Sequence, residues 1–213
     1  MQLIKLKNSY EEKISKIKKR LEDFKNVWKK SDEDIFAELC FCLLTPQSKA
    51  KNVDRVIKNL LKNNILFFGN KKQILKELRS SGVRFHKNKT NYILEARKFF
   101  SNNGKMDIKS RLEKENASDK REWLVKNVKG LGYKEASHFL RNIGLGFDLV
   151  ILDRHIMKNL MKYGVIDEIP DCLSRKCYLF LEEKMKHFSK QVNIPVADLD
   201  LLFWSEETGE VFK

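Results

Sequence analysis

Two glycines one residue apart, Gly130 and Gly132, interrupt an otherwise helical pattern and restrict what this chain can become. Before them Trp123, Leu124 and Val128 read as the apolar face of one helix, and after them Ala136, Phe139, Leu140 and Ile143 read as the face of another. The pattern describes a helix, a tight hairpin and a helix over roughly residues 120–143. Glycine reaches positive φ at little cost and lets other groups approach its backbone, so Gly130 and Gly132 can turn their N–H groups toward an anion. The helix that begins there adds its partial positive charge. Such a unit is a phosphate grip. Lys134 stands just past the second glycine, and Asp153 follows 19 positions later in Ile151-Leu152-Asp153-Arg154-His155-Ile156.

The rest of the chain has the same helical period. Ser9-Tyr10-Glu11-Glu12 is a capping-box pattern ahead of Tyr10, Ile14, Ile17, Leu21, Phe24 and Trp28. Ser31 or Asp32 caps a second helix, apolar on most sides, that ends near Thr45-Pro46 because proline disfavours helix in the residue before it. Gln47 sits in that break. Ser48 and Asn70 are the starts of two further helices, and Gly82 closes the second of them. Residues 83–89 then read as a basic, aromatic-bearing loop containing Arg84, Phe85 and His86. Helices follow through Tyr92 to Phe100, from Ser118 into the hairpin, over residues 173–188, and from Pro195 to about Trp204. Asp153 stands where an N-cap would, ahead of Ile156, Leu160 and Met161. No alternating strand is convincing, so the fold class is all-α.

Charge narrows the partner. The chain has 43 basic against 29 acidic residues, a net +14, and the basic residues are spread along it. That is the footprint of a polyanion binder. Lysine-rich proteins of other kinds share it. Cys40, Cys42, Cys172 and Cys177 lack metal-ligand spacing, and no segment reaches the roughly 18 apolar residues of a membrane span. No bound metal or cofactor is expected. A soluble, cytoplasmic, nucleoid-associated monomer is.

Gly130-Leu131-Gly132-Tyr133-Lys134 followed by Leu152-Asp153-Arg154-His155 resembles the helix-hairpin-helix DNA glycosylases, in their lysine-bearing bifunctional branch. Leu43-Leu44-Thr45-Pro46-Gln47-Ser48, Val83-Arg84-Phe85-His86-Lys87 and the ending Thr208-Gly209-Glu210-Val211-Phe212-Lys213 are similar to the compact archaeal and bacterial 8-oxoguanine glycosylase/lyase group. The likeness covers nearly the whole chain. It implies a two-lobed fold, residues 1–30 with 144–213 as one lobe and 31–143 as the other, with the active site in the cleft between them. Some relatives hold an iron–sulfur cluster through four cysteines near the C-terminus, a pattern this chain lacks.

The resemblance also implies a reaction. A carboxylate beside the sugar stabilises the positive charge that develops as a base departs, and an amine captures C1′ as an adduct that opens to a Schiff base and permits β-elimination. Lys134 and Asp153 would be that pair, although a hairpin lysine can also be merely solvated and an aspartate merely a cap. The target nucleotide must leave the stack. Gln47 matches the position from which relatives fill the hole; a polar residue in a helix break is the plainer alternative. Arg84, Phe85 and His86 suit wedging or stacking on bases, with Phe85 as a core residue the alternative. Trp204 and Phe212 could stack on the everted base, and in this family a C-terminal lysine, here Lys213, is associated with reading 8-oxoguanine. Gly130, Gly132 and Arg154 would meet phosphates. Three functions stay open: a bifunctional 8-oxoguanine glycosylase/lyase acting on oxidised or abasic duplex DNA, a relative excising oxidised pyrimidines, and a non-catalytic DNA-binding module.

Overall fold

The structure, a computed structural model, describes residues 2–113 and 116–212. Among these are eleven α-helices and one antiparallel pair of two-residue strands. The first part comprises α1 (Gln2–Trp28), α2 (Asp32–Leu44), α3 (Ala50–Lys62), α4 (Ile65–Phe68), α5 (Lys71–Ser80) and α6 (His86–Phe100). Strands β1 (Ser101–Asn102) and β2 (Lys105–Met106) and a 3-10 turn at Ser110–Leu112 follow. The second part comprises α7 (Ala117–Asn127), α8 (Tyr133–Asn142), α9 (Arg154–Lys162), α10 (Arg175–Val192) and α11 (Val196–Thr208).

Capping chemistry sets many of these boundaries. Ser31 Oγ accepts from Asp34 N at 3.2 Å to open α2. Asn70 and Gln73 exchange side-chain and backbone hydrogen bonds of 3.0 and 2.9 Å to open α5. Other starts differ from the sequence reading. Ser9 lies inside α1, and Lys49 rather than Ser48 precedes α3. Asn116 caps α7 through Asp119 N, and α11 runs on to Thr208, where Gly209 at φ 82° stops it. Residues 86–89, read as loop, are the first turn of α6, because Phe85 itself turns the chain at φ 56°. The tiny hairpin β1–β2 turns at Asn103 and Gly104, both at positive φ, and adds only a local exception to an all-helical chain.

Two hydrophobic cores form. One gathers α2, α3, α5 and α6 with the 3-10 turn and much of α7 and α8, through residues such as Phe36, Leu39, Val56, Leu78, Ile93, Phe100, Leu124 and Phe139. The other gathers α1, α9, α10 and α11 through Leu6, Ile17, Phe24, Leu160, Met185, Leu199 and Phe203. The segment after α8 contributes to both cores, Leu145 and Leu149 to the first and Phe147 and Val150 to the second. Every residue of α8 from Ala136 to Asn142 is buried. This helix carries polar side chains to both sides: Asn142 Nδ2 donates to Glu38 Oε1 of α2 at 2.7 Å, and Arg141 pairs with Asp200 of α11 at 3.2 Å. Its N-terminus, and therefore Lys134, lies where the two cores meet. Among the described residues no helix is long and apolar enough to cross a membrane.

Candidate active site

The hairpin between α7 and α8 is as tight as the two glycines require. Val128 N closes α7 on Leu124 O at 2.9 Å, and Leu131 N returns to Val128 O at 3.2 Å. Gly130 adopts φ +93°, and a Cβ there would lie 2.5 Å from the Tyr92 ring. Gly132 differs: its backbone is extended (φ −93°, ψ −174°), and its N–H donates to Glu135 Oε2 at 3.3 Å. A carboxylate thus occupies the helix N-terminus where a phosphate was expected, which fits the preference of that position for negative charge.

Lys134 lies in the first turn of α8, partly buried, with Nζ 3.3 Å from Glu135 Oε1. Asp153 is the N-cap of α9, and its Oδ1 accepts from His155 N and Ile156 N, each at 2.8 Å. Both amides fix the carboxylate's direction and leave Oδ2 for other work. Asp200 joins the two. Burial pushes its carboxyl up to about 6, the charge of Arg141 opposes that, Asp153 adds to it, and Lys134 opposes it. The buried Asp200 carboxyl therefore feels the charge of both Lys134 and Asp153. Burial also lowers Arg141, against the pull of Asp200, Cys42, Glu38 and Asp153. The pair is held in place by the fold at a cost to both charges.

Lys89, only 4% exposed, also feels the charge of Lys134. Its Nζ donates to Leu44 O (2.7 Å), Pro46 O (2.6 Å) and Ser48 Oγ (3.0 Å). Burial, then the neighbouring charges of Lys134 and Arg84, push Lys89 down to about 8, with Glu135 opposing. Gln47 is exposed in the turn that Lys89 grips, at φ 54°. Arg84 and Phe85 are exposed, with the guanidinium 5.7 Å from the ring centroid, and His86 is half-buried. At 54% exposure Phe85 is no core residue. Trp204 is half-buried one helical turn beyond Asp200 and packs against Phe212 at 6.2 Å between ring centroids. Arg154 is exposed beside Asp153. Lys213 lies outside the described residues. His138 is buried against Phe41, and His155 Nδ1 lies 3.6 Å from Glu207 Oε2.

The sequence reading missed Lys89, Arg141 and Asp200, and it missed a buried network behind the hairpin. Arg121 of α7 makes a two-pronged ion pair with Glu182 of α10, both bonds 2.8 Å, and also donates to Ser137 Oγ at 3.2 Å. Burial works against the Arg121 cation, but Glu182 outweighs it and raises the guanidinium. Glu182 Oε1 accepts from Val150 N at 2.9 Å, and Tyr178 OH donates to Val150 O at 2.7 Å. A polar residue at helical spacing among apolar ones was the only available signal. Among the described residues no group of three His, Cys, Asp or Glu side chains could hold a metal ion.

Helices packed around a glycine hairpin, with a lysine past the second glycine and a capping aspartate beyond it, have the fold of a helix-hairpin-helix glycosylase. A profile described as 8-oxoguanine DNA glycosylase matches residues 17–194. An 8-oxoguanine DNA glycosylase/AP lyase of Fusobacterium nucleatum is 46% identical over 206 residues, 96% of this chain and 94% of that protein. One from Methanocaldococcus jannaschii is 41% identical, with full coverage of both. The crystal structure of the Methanocaldococcus jannaschii 8-oxoguanine glycosylase/lyase in complex with 15mer DNA containing 8-oxoguanine superposes with a TM-score of 0.88 at 39% identity, covering all of both chains. That of the 8-oxoguanine DNA glycosylase of Thermotoga maritima also gives 0.88, at 34% identity and covering 100% and 98%. The chain belongs to the 8-oxoguanine DNA glycosylase family.

Proposed function

We propose that this protein is a bifunctional DNA glycosylase/AP lyase that removes 8-oxoguanine from duplex DNA in base excision repair. The nucleotide is everted into the junction between two lobes, residues 1–30 with 144–213 and residues 31–143. Lys134 Nζ attacks C1′ as the bond to the base breaks, and the base leaves with a proton. Asp153 stabilises the positive charge at the sugar. The adduct opens to a Schiff base, loss of a C2′ proton expels the 3′ phosphate by β-elimination, and hydrolysis returns the free lysine. Gln47 fills the vacated stack, while Arg84, Phe85 and His86 wedge beside it. Phe85, Trp204 and Lys213 read the base, and Gly130, Gly132 and Arg154 meet phosphates. The protein works as a cytoplasmic monomer, and abasic duplexes are substrates for its second step.

The observation that supports the reading is that Lys134 opens α8 and Asp153 caps α9, its Oδ1 held by two amides, with the buried Asp200 feeling the charge of both. Full-length likeness to named 8-oxoguanine DNA glycosylase/AP lyases favours it over an oxidised-pyrimidine enzyme or a passive clamp. Borohydride trapping on duplexes carrying 8-oxoguanine or thymine glycol tests it. Trapping on 8-oxoguanine that disappears in Lys134→Gln is expected. Trapping confined to thymine glycol would overturn the substrate, and trapping retained by Lys134→Gln would overturn the nucleophile.

A further inference from the structure

The loop before α3 and the loop before α6 hang on one polar node. Ser48 N closes on Thr45 O at 2.9 Å, which makes residues 45–48 a four-residue turn with Pro46 second and Gln47 third. Gln47 has φ 54°, at a position that glycine or asparagine usually occupies. Phe85, at the entry to α6, has φ 56°. Side chains bearing a Cβ visit this region rarely. These two exposed residues have therefore been placed in left-handed backbone although a glycine would fit more easily, and both belong to the segments read above as DNA contacts.

What holds them is shared. Ser48 Oγ accepts from Arg84 N at 3.1 Å and from Lys89 Nζ at 3.0 Å, so one hydroxyl ties the second loop to the first. Lys89 Nζ also takes the carbonyls of Leu44 and Pro46, on either side of the point where α2 ends. Its three acceptors are neutral oxygens, and burial, then the charges of Lys134 and Arg84, stand against it, with only the Glu135 carboxylate in its favour. A buried cation whose hydrogen-bond partners are all uncharged is a poor way to stabilise a core, where an apolar residue would do better. It is a good way to fix a strained turn, because an ammonium can hold several carbonyls at set directions and complements a helix C-terminus.

We propose that Lys89 and Ser48 are positioning residues that lock the Gln47 turn and the Arg84-Phe85 loop into one rigid wedge, so that both enter the duplex together when the nucleotide is everted. Neither touches the reacting atoms. The proposal rests on the reading of Gln47 and Phe85 as stack-entering residues, and its test separates the two.

Lys89→Met and Ser48→Ala are made in the full chain, beside Gln47→Ala and Phe85→Ala. Three properties are followed: single-turnover excision of 8-oxoguanine from a duplex, the fluorescence of 2-aminopurine placed next to the lesion, and borohydride trapping on a single-stranded abasic oligonucleotide. The last needs Lys134 but has no stack to enter. Lys89→Met and Ser48→Ala are each expected to slow duplex excision by about tenfold and to weaken the fluorescence rise, while single-stranded trapping stays at the wild-type rate. Adding Gln47→Ala to Lys89→Met is expected to cost little more, because the turn is already loose. Ser48→Ala removes a single oxygen and keeps the test decisive should Lys89→Met fold poorly. Unchanged excision and fluorescence in Ser48→Ala and Lys89→Met, with Gln47→Ala impaired, would overturn the proposal alone. A loss of single-stranded trapping in step with excision would overturn it too, by assigning Lys89 to the chemistry or the fold. Wild-type excision by Gln47→Ala and Phe85→Ala would overturn the wedge reading beneath it.

Discussion

Arg121 and Glu182, 61 residues apart, face each other through two bonds of 2.8 Å at 1% and 2% side-chain exposure. The relationship bears on the chemistry because of what else each residue holds. Arg121 donates to Ser137, three residues past Lys134, and Glu182 accepts from Val150 N, three residues before Asp153. One buried ion pair therefore registers the helix of the candidate nucleophile against the segment of the candidate carboxylate.

Removing one member strands the other charge in the interior. Glu182→Gln or Arg121→Met should lower unfolding free energy by about 3–5 kcal/mol, measured by urea titration. Replacing both by apolar residues should cost less than either single change. Tyr178→Phe, which loses only the hydroxyl between Val150 O and Leu152 N, should cost about 1 kcal/mol and leave the pair intact. If the double replacement proves the least stable of the set, the pair contributes attraction beyond its mutual neutralisation.

Asp153 both caps α9 and, in the proposed reaction, faces the sugar. The two duties separate by substitution. Asparagine caps as well as aspartate does, so Asp153→Asn should unfold like the wild type yet lose borohydride trapping on 8-oxoguanine duplexes by several orders of magnitude. Asp153→Ala should lose both, with about 1 kcal/mol of stability gone. Equal activity in Asp153→Asn and wild type would reduce the residue to its cap.

Short-range chemistry was what the sequence made legible. Asp153 as a cap, Ser31 and Asn70 as helix starts, and the Gly130 turn each depend on residues within a few positions, and each stands in the structure as read. Lys89, Asp200 and the Arg121–Glu182 pair were invisible because their partners lie dozens of residues away, and a lone charged residue on a helix reads as solvated until packing encloses it. The first turn of α6 was missed for a different reason. Its entry residue Phe85 takes φ 56° without being glycine, and no propensity signals that.

Asp200 supplies a pH test. Burial pushes its carboxyl up to about 6 from an ordinary 3.8, with Arg141 opposing, Asp153 adding and Lys134 opposing. Between those two values the folded protein keeps a proton that the unfolded chain has released, so this group's contribution to stability falls as pH rises through the window and is lost above it. Asp200→Asn cannot titrate. The stability of wild type relative to Asp200→Asn should therefore decline from about pH 4 to about pH 6, no more steeply than about 1.4 kcal/mol per pH unit, and level off above. A difference that stays constant across the window would mean Asp200 is ionised throughout beside Arg141.

The two hairpin glycines should respond differently to alanine. At Gly130 a Cβ would need φ +93° and would lie 2.5 and 2.8 Å from Tyr92 Cδ2 and Cγ, so ring and turn must part. At Gly132 the backbone is extended and the added Cβ meets only Glu135 Oε2, at 3.2 Å, the movable end of a side chain. Gly130→Ala should destabilise the protein by more than about 1 kcal/mol and, through the proposed backbone contact of this loop with phosphate, weaken binding to undamaged duplex. Gly132→Ala should be nearly as stable as wild type. Coupling Gly130→Ala to Tyr92→Ala relieves the clash but not the left-handed strain, so it should restore only part of the lost affinity in a salt-matched binding titration. Full restoration would place the whole effect on the ring, and no restoration would place it on the backbone.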